Sequence, residues 1–303
     1  MSNLQGNTGD IIPSQLSRKL VAMVSDFGLI DNYVGVMKGV MLGIAPDVAI
    51  ADITHQIPPQ NLAAARYVLD TAVDYFPDNT VFLGVVDPGV GTERRGIAFK
   101  IKKQAENQLK NQYFVGPDNG IFSAILDSNM PIDAVSLTNA NYWRSLSPSN
   151  TFHGRDIFAP VAAHLANGVP LKDLGEAIAS NTLTRLNPPS LKKIDGGWEG
   201  VVQYIDHFGN VVTTIPGDVV GDQQWSLPLS QQSSPHAAQH PHIGQQSNPH
   251  KIPGCRAYGE TKPGDLLALV GSHGWIEVAQ NQGNGAIATG LTYGDSVQVL
   301  LES

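Results

Sequence analysis

The sequence predicts an α/β N-terminal domain built on a mostly parallel central sheet, followed by an all-β, barrel-like C-terminal domain. Three observations carry this. In the first half, short β-branched runs alternate with segments of helical periodicity. Between Ser180 and Gly197 the composition shifts to Asn-Pro-Pro-Ser and Asp-Gly-Gly. Beyond it, helical spacing gives way to short strand-like runs separated by glycine turns.

Taken in order, Leu20–Val24 reads as a strand running into Ser25-Asp26-Phe27-Gly28. Apolar residues at Val34, Met37, Val40, Met41 and Ile44 have the spacing of an amphipathic helix over Asn32–Ala45, stopped by Pro46. Val48–Ile53 is a second strand, Thr54–Pro59 a loop, and Gln60–Phe76 a second helix. Thr80–Val86 is short, β-branched and bounded by turn residues, as a buried parallel strand should be. Gly96–Ile101 and Tyr113–Val115 are further strands, with the polar Lys102–Gln112 expected as a surface excursion between them. Gly116-Pro117-Asp118-Asn119-Gly120 is a turn that offers an N-cap to a helix over Ile121–Leu126, and Ile157–Leu165 is a helix with His153 at its start. The resulting domains are a disordered tail at 1–18, an α/β domain at 19–190 and a barrel domain at 191–303. The barrel carries a surface insert rich in Gln, Ser, Pro and His at 223–253, expected to be ordered at its ends.

Composition narrows the function classes. A chain of 303 residues with 42% hydrophobic content can bury two cores. A formal charge of −8 with 19 Lys+Arg and no basic run disfavours nucleic acid and anionic membranes as partners, and permits a cationic small molecule. The single cysteine, Cys255, leaves no internal disulfide and no Cys-based zinc site. Residues 1–17 are polar, without the apolar stretch of a signal peptide, and no run of 18 apolar residues occurs, so a cytoplasmic protein is expected.

The stretch Val85–Arg95 organises the candidate site. Asp87 ends a strand, the edge where open α/β sheets bind ligands, and Gly89 and Gly91 let backbone approach a ligand closely. Asp26 ends a second strand in the same way. Arg94 lies seven positions after Asp87, close enough for an ion pair that favours the ionised carboxylate. His153 sits at a helix N-terminus, where backbone N–H groups oppose ring protonation. A held carboxylate, a guanidinium and an imidazole can orient and deprotonate a water. The same residues also read as a plain Pro-Gly turn, a surface ion pair and a helix cap. A metal reading of Asp26, Asp87, His153 and Asp156 lacks HxH or HExxH spacing, so no metal is expected. In the second domain Phe208 offers a ring face and Asn210 a donor–acceptor edge, a set that suits a purine, while Asp206–Asn210 is equally a glycine turn.

Several of these stretches occur together and in order: Ser25-Asp26-Phe27-Gly28 with Tyr33–Gly39, Asp87–Arg95, Gly116–Gly120, Phe152-His153-Gly154-Arg155-Asp156, and Asp206-x-Phe208-Gly209-Asn210. In this the chain resembles the S-adenosylmethionine (SAM) hydroxide adenosyltransferases, relatives of the bacterial fluorinase and chlorinase. The resemblance spans roughly residues 20–303 apart from the insert.

It implies a homotrimer that binds SAM between the N-terminal domain of one subunit and the C-terminal domain of its neighbour. It assigns Asp87, Arg94 and His153 to positioning and activating water, and Asp26 to the ribose. Phe208 and Asn210 fall to adenine, and Asp206 and Ser272 to the methionine amino group. SAM is then the substrate, no cofactor is needed, and the expected reaction is hydrolysis at C5′ to adenosine and methionine. The alternatives are halide-dependent adenosyl transfer to a 5′-halogenated product, which the Asp-Arg-His set disfavours, and a non-catalytic SAM or adenosine binder.

Overall fold

The structure is a computed structural model that describes residues 19–105, 108–127, 132–187, 190–228 and 251–302. The expected N-terminal tail and the middle of the insert lie outside the described residues. Contact density divides the chain into two compact units. One runs to Arg185 without Arg66–Thr71, and the other comprises Arg66–Thr71 and Leu186 onward. Among the described residues, no helix is long and apolar enough to cross a membrane.

The N-terminal unit is built on a seven-stranded sheet of β1 (Leu20–Ser25), β2 (Ala49–Thr54), β3 (Thr80–Val85), β4 (Gly96–Ala105), β5 (Gln108–Pro117), β6 (Ile132–Ser136) and β7 (Glu176–Ala177), in the order β2-β1-β3-β5-β4-β6-β7. β1 pairs in parallel with β2 and β3, and β3 with β5, while β4 is antiparallel to β5 and β6. The chain leaves β1 toward β2 on one side and returns to β3 on the other. This makes the C-terminal edge between β1 and β3 a topological switch point, where such sheets open a crevice.

Both faces of β3 are covered, which explains its unbroken apolar run. Val81, Leu83 and Val85 join Val21 and Met23 beneath α1 (Tyr33–Ile44), through Met37 and Met41, and beneath α4 (Ala159–Ala166). On the opposite face Phe82 stacks on Phe114 at 5.1 Å and Phe114 on Phe99 at 4.8 Å, with Phe122 edge-on to Phe99. α2 (Leu62–Ala72) is capped by Asn61 Oδ1, which accepts from Ala64 N, and it ends four residues before the expected Phe76 in a 3₁₀ turn at Val73–Tyr75.

The expected surface excursion at Lys102–Gln112 is instead the hairpin end of β4 and β5, paired from Gly96↔Pro117 to Ala105↔Gln108. Its polar character misleads because Gln112 is buried with its amide donating to Val73 O. α3 spans only Ser123–Leu126, and its N-cap Phe122 makes no side-chain cap. The helix expected over Ile157–Leu165 starts earlier, as a π-helical turn at Gly154–Phe158 that continues into α4.

The C-terminal unit is a closed barrel. β9 (Gly197–Ile205), β10 (Val211–Pro216), β14 (Trp275–Gln280), β13 (Leu266–Val270), β12 (Lys251–Cys255), β11 (Trp225–Pro228) and β15 (Ser296–Leu301) follow one another around it, and β9–β10 pairing closes the ring. β8 (Leu191–Ile194) adds to β9 outside it. Val202, Val211, Ile215, Leu227, Ile252, Ile276, Val278 and Val299 fill its interior. The two ends of the insert are themselves barrel strands, β11 and β12, paired at Leu227↔Ile252.

Candidate active site

The site begins with the turn that follows β3. Val90 N bonds to Asp87 O, and both Thr92 N and Thr92 Oγ1 bond to Gly89 O. Gly91 stands at φ +78°, and a Cβ there would meet Asn150 O at 2.3 Å, so only glycine fits. The turn brings Arg94 back onto Asp87. Arg94 Nε donates to Asp87 Oδ1 at 2.9 Å and its NH2 group to Oδ2, with Arg94 and Asp87 side chains 11% and 6% exposed. The same terminal nitrogen lies 2.8 Å from His153 Nδ1, and the guanidinium packs over the Phe158 ring.

That arrangement fixes the state of the imidazole. A guanidinium only donates, so Nδ1 must accept, and the ring is neutral with its proton on Nε2. Burial pushes the His153 pKa down, and the Arg94 charge pushes it further the same way. His153 closes the loop before the π-helical turn and makes no side-chain cap. The loop is anchored by Asp156, whose buried carboxylate accepts from Arg144 Nε, Arg155 Nε and NH2, and Ser149 N. Arg155 foremost, with Arg144 and the Ser149 N–H, holds Asp156 well below the usual carboxylate range.

Asp26, Phe27, Tyr33, Gln60, Asp87, Phe152 and His153 line one cavity of about 380 Å³ at the switch point. Asp26 Oδ2 accepts from Gln60 N at 2.8 Å. Phe27, Tyr33 and Phe152 form an aromatic triangle with ring centroids 5.2–5.8 Å apart. The structure therefore gathers Asp26, Asp87, Arg94 and His153. The aromatic triangle was present in the quoted motifs, yet nothing in its spacing marked it as a pocket wall. Of the four residues in the metal reading, Arg94 engages Asp87, and Arg144 and Arg155 engage Asp156. Among the described residues, no group of three or more His, Cys, Asp or Glu has metal-site geometry.

Two motif residues take supporting places. Asn119 Nδ2 donates to Val86 O, steadying the residue before Asp87. Asp118 accepts from Arg95 and from Thr184 N, which gives Arg95 a structural partner.

Asp206, Phe208, Asn210 and Ser272 all lie in the C-terminal unit. Asp206 Oδ1 accepts from Phe208 N and Asn210 N, and Oδ2 from Asn210 Nδ2, so the turn reading of this stretch is realised. Phe208 is 72% exposed, and Ser272 is exposed in the Gly271–Gly274 turn. Behind them Tyr258 O–H and His273 Nε2 both meet the buried Glu277 carboxylate.

An α/β unit whose switch-point pocket has an aromatic wall and an arginine-clamped Asp87, joined to a closed barrel, has the build of an enzyme that acts on a small molecule. Residues 21–175 match the SAM hydroxide adenosyltransferase N-terminal domain and residues 200–298 match the C-terminal domain, and the chain belongs to that family. It is 38% identical over 283 residues to an (R)-S-adenosyl-L-methionine hydrolase of Salinispora tropica, covering 92% of this chain and 97% of that protein. A fluorinase of Actinopolyspora mzabensis is 28% identical over 302 residues, covering 93% and 97%. The solved structure of an uncharacterized conserved protein from Thermotoga maritima superposes with a TM-score of 0.78 at 33% identity, covering 92% of this chain and 99% of that one.

Proposed function

We propose that this chain hydrolyses S-adenosyl-L-methionine by in-line attack of water on C5′, giving adenosine and L-methionine. The observation that carries the reading is Arg94 bridging Asp87 and His153 at the wall of the cavity that Asp26 also lines. The relative's name makes the (R)-sulfonium epimer the substrate form to test first.

The chemistry suits these parts. The sulfonium leaves as a neutral thioether, so the departing group needs no acid. The nucleophile is what needs help, and the net reaction releases one proton. His153 Nδ1 is committed to Arg94, so its Nε2–H is a donor that holds the water oxygen, and the Asp87 carboxylate takes the proton and passes it to solvent. A base of this kind contributes roughly 10²–10⁴-fold, and in-line positioning adds to it. Asp26 holds the ribose, Phe208 and Asn210 the adenine, and Asp206 and Ser272 the methionine amino group. In the proposed homotrimer one subunit's N-terminal unit works with a neighbour's C-terminal unit. Exposed Ile30 beside the pocket loop and exposed Phe208 support that assembly. The reading places the enzyme in the cytoplasm, in keeping with a chain that has one cysteine.

The test is incubation with each SAM epimer, with and without chloride or fluoride, followed by mass spectrometry. Adenosine formed equally without halide supports the proposal. A 5′-halogenated product that requires halide would transfer the reading to halide-dependent adenosyl transfer, and SAM binding without product would leave a non-catalytic binder.

A further inference from the structure

A Ser-His-Asp constellation lies beneath the pocket, outside the Asp-Arg-His set proposed to activate water. Ser25, the last residue of β1, places Oγ 2.7 Å from His55 Nδ1, and both side chains are buried. Asp52 Oδ1 lies 3.1 Å from His55 Nε2 as an electrostatic contact rather than a well-aligned hydrogen bond. Lys38 Nζ on α1 donates to Asp52 Oδ2 at 2.6 Å.

The order of residues resembles a nucleophile triad, but Ser25 is 1% exposed and no substrate reaches it. Its polarity is set instead by its neighbours. A lone pair on Nε2 facing a carboxylate would be repelled, so Nε2 carries the proton. Nδ1 then accepts from Ser25 O–H, and Ser25 Oγ in turn lies 3.4 Å from Phe27 N. The backbone runs the same way: Gly28 N donates to His55 O at 2.8 Å, and Ile57 N to Ser25 O. These bonds stitch the stretch 25–28 to the stretch 55–60, and the seam ends where Gln60 N holds Asp26 Oδ2. Asp26 Oδ1 is left without a hydrogen-bond partner among the described residues.

We propose that His55 is a positioning residue, which through Ser25 fixes the Asp26 carboxylate for the ribose of the ligand. The assignment rests on the proposed SAM reading only for the identity of that ligand. Neither Ser25 nor His55 lines the cavity, so they reach the ligand through a lining neighbour, here Asp26. A histidine suits the place because one ring bridges a hydroxyl and a carboxylate on opposite sides, which neither Asn nor Gln spans alone.

The experiment is a double-mutant cycle on adenosine affinity by calorimetry, with KM and kcat for SAM in parallel. Ser25→Ala removes one oxygen and tests the seam where a His55 variant would fail to fold. Ser25→Ala and His55→Gln are each expected to raise the adenosine Kd and the SAM KM about five- to tenfold, the effect of one lost hydrogen bond, with kcat within about twofold. In an Asp26→Ala background either change should alter Kd by less than about twofold, because the group it positions is gone. His55→Asn, which keeps an acceptor toward Ser25, should recover most of the affinity. Full additivity with Asp26→Ala, or a lowered melting temperature at unchanged Kd, would overturn the proposal. A wild-type protein that binds adenosine with this coupling but leaves SAM intact would overturn the hydrolase reading and leave the positioning role standing.

Discussion

Replacing Arg94 with lysine keeps the charge and removes the geometry, so it isolates what the fork of donors does. The guanidinium makes bonds to Asp87 Oδ1 and Oδ2 and to His153 Nδ1 from a side chain that is 11% exposed. One ammonium on a flexible stem replaces at most one of these. Two bonds to charged or strongly polar partners are lost, roughly 1.5–3 kcal/mol each, about 3–6 kcal/mol in all. If these bonds matter only when water attacks, kcat falls about 10²–10⁴-fold while KM for SAM changes by less than about threefold. Initial rates of adenosine release, measured across SAM concentrations on protein whose melting temperature is also recorded, decide the matter. An Arg94→Lys enzyme within about tenfold of wild-type kcat would refute the bridging role.

Other outcomes concern the His153 imidazole, the Asp156 anchor, the shared site and Phe208. Because burial and Arg94 both hold His153 below the ordinary imidazole value, activity should stay flat through neutrality and fall only on the acid side, below 6.5. Arg94→Met should move the His153 ring titration, followed by NMR, to higher pH. The same depressed value means that His153's contribution to stability is intact above 6.5 and is lost as pH falls toward its folded value. Asp156→Asn should lower stability by about 1.5–3 kcal/mol, since Arg144 and Arg155 are partly exposed and can rehydrate. The wild-type contribution is present above the ordinary carboxylate value of 3.8 and is lost on further acidification, so denaturant midpoints of the two proteins should converge at low pH. Mixed Asp87→Asn and Asn210→Ala subunits should recover activity that neither has alone if each site draws on two subunits, and sedimentation should give a trimer. Phe208→Ala should raise KM for SAM by about 5–50-fold with kcat little changed, as loss of a stacked base does.

The pairing of Asp87 with Arg94, proposed to activate water, was legible because its cause is local. A strand-end Asp87, a glycine-bearing turn and Arg94 within its reach can be read from eleven consecutive residues, Val85–Arg95, and the glycine requirement at Gly91 is written in its φ of +78°. The link from Arg94 to His153 was not, since 59 positions separate them and only folding brings them together. Elements failed where polarity contradicted pairing. Lys102–Gln112 reads as loop because its residues are polar, though the pairing of β4 with β5 runs through it. Pro228 and Pro253 fall within the stretch read as a surface insert, though both sit in the paired strands β11 and β12. The π-helical turn at Gly154–Phe158 shares its apolar spacing with an α-helix, so periodicity alone cannot reveal it. At Asp206–Asn210 the turn is present, and the exposure of Phe208 within it is what keeps a ligand role open.

In the proposed reaction water, held by Asp87, Arg94 and His153, is the nucleophile at C5′. Its most direct test is turnover of SAM in ¹⁸O-water, with the oxygen of the 5′-hydroxyl of adenosine read by mass spectrometry. One ¹⁸O per adenosine is expected, formed at the same rate without halide, with loss of that product in Asp87→Asn and SAM binding retained. Unlabelled adenosine, or label that appears only when chloride or fluoride is present, would contradict it.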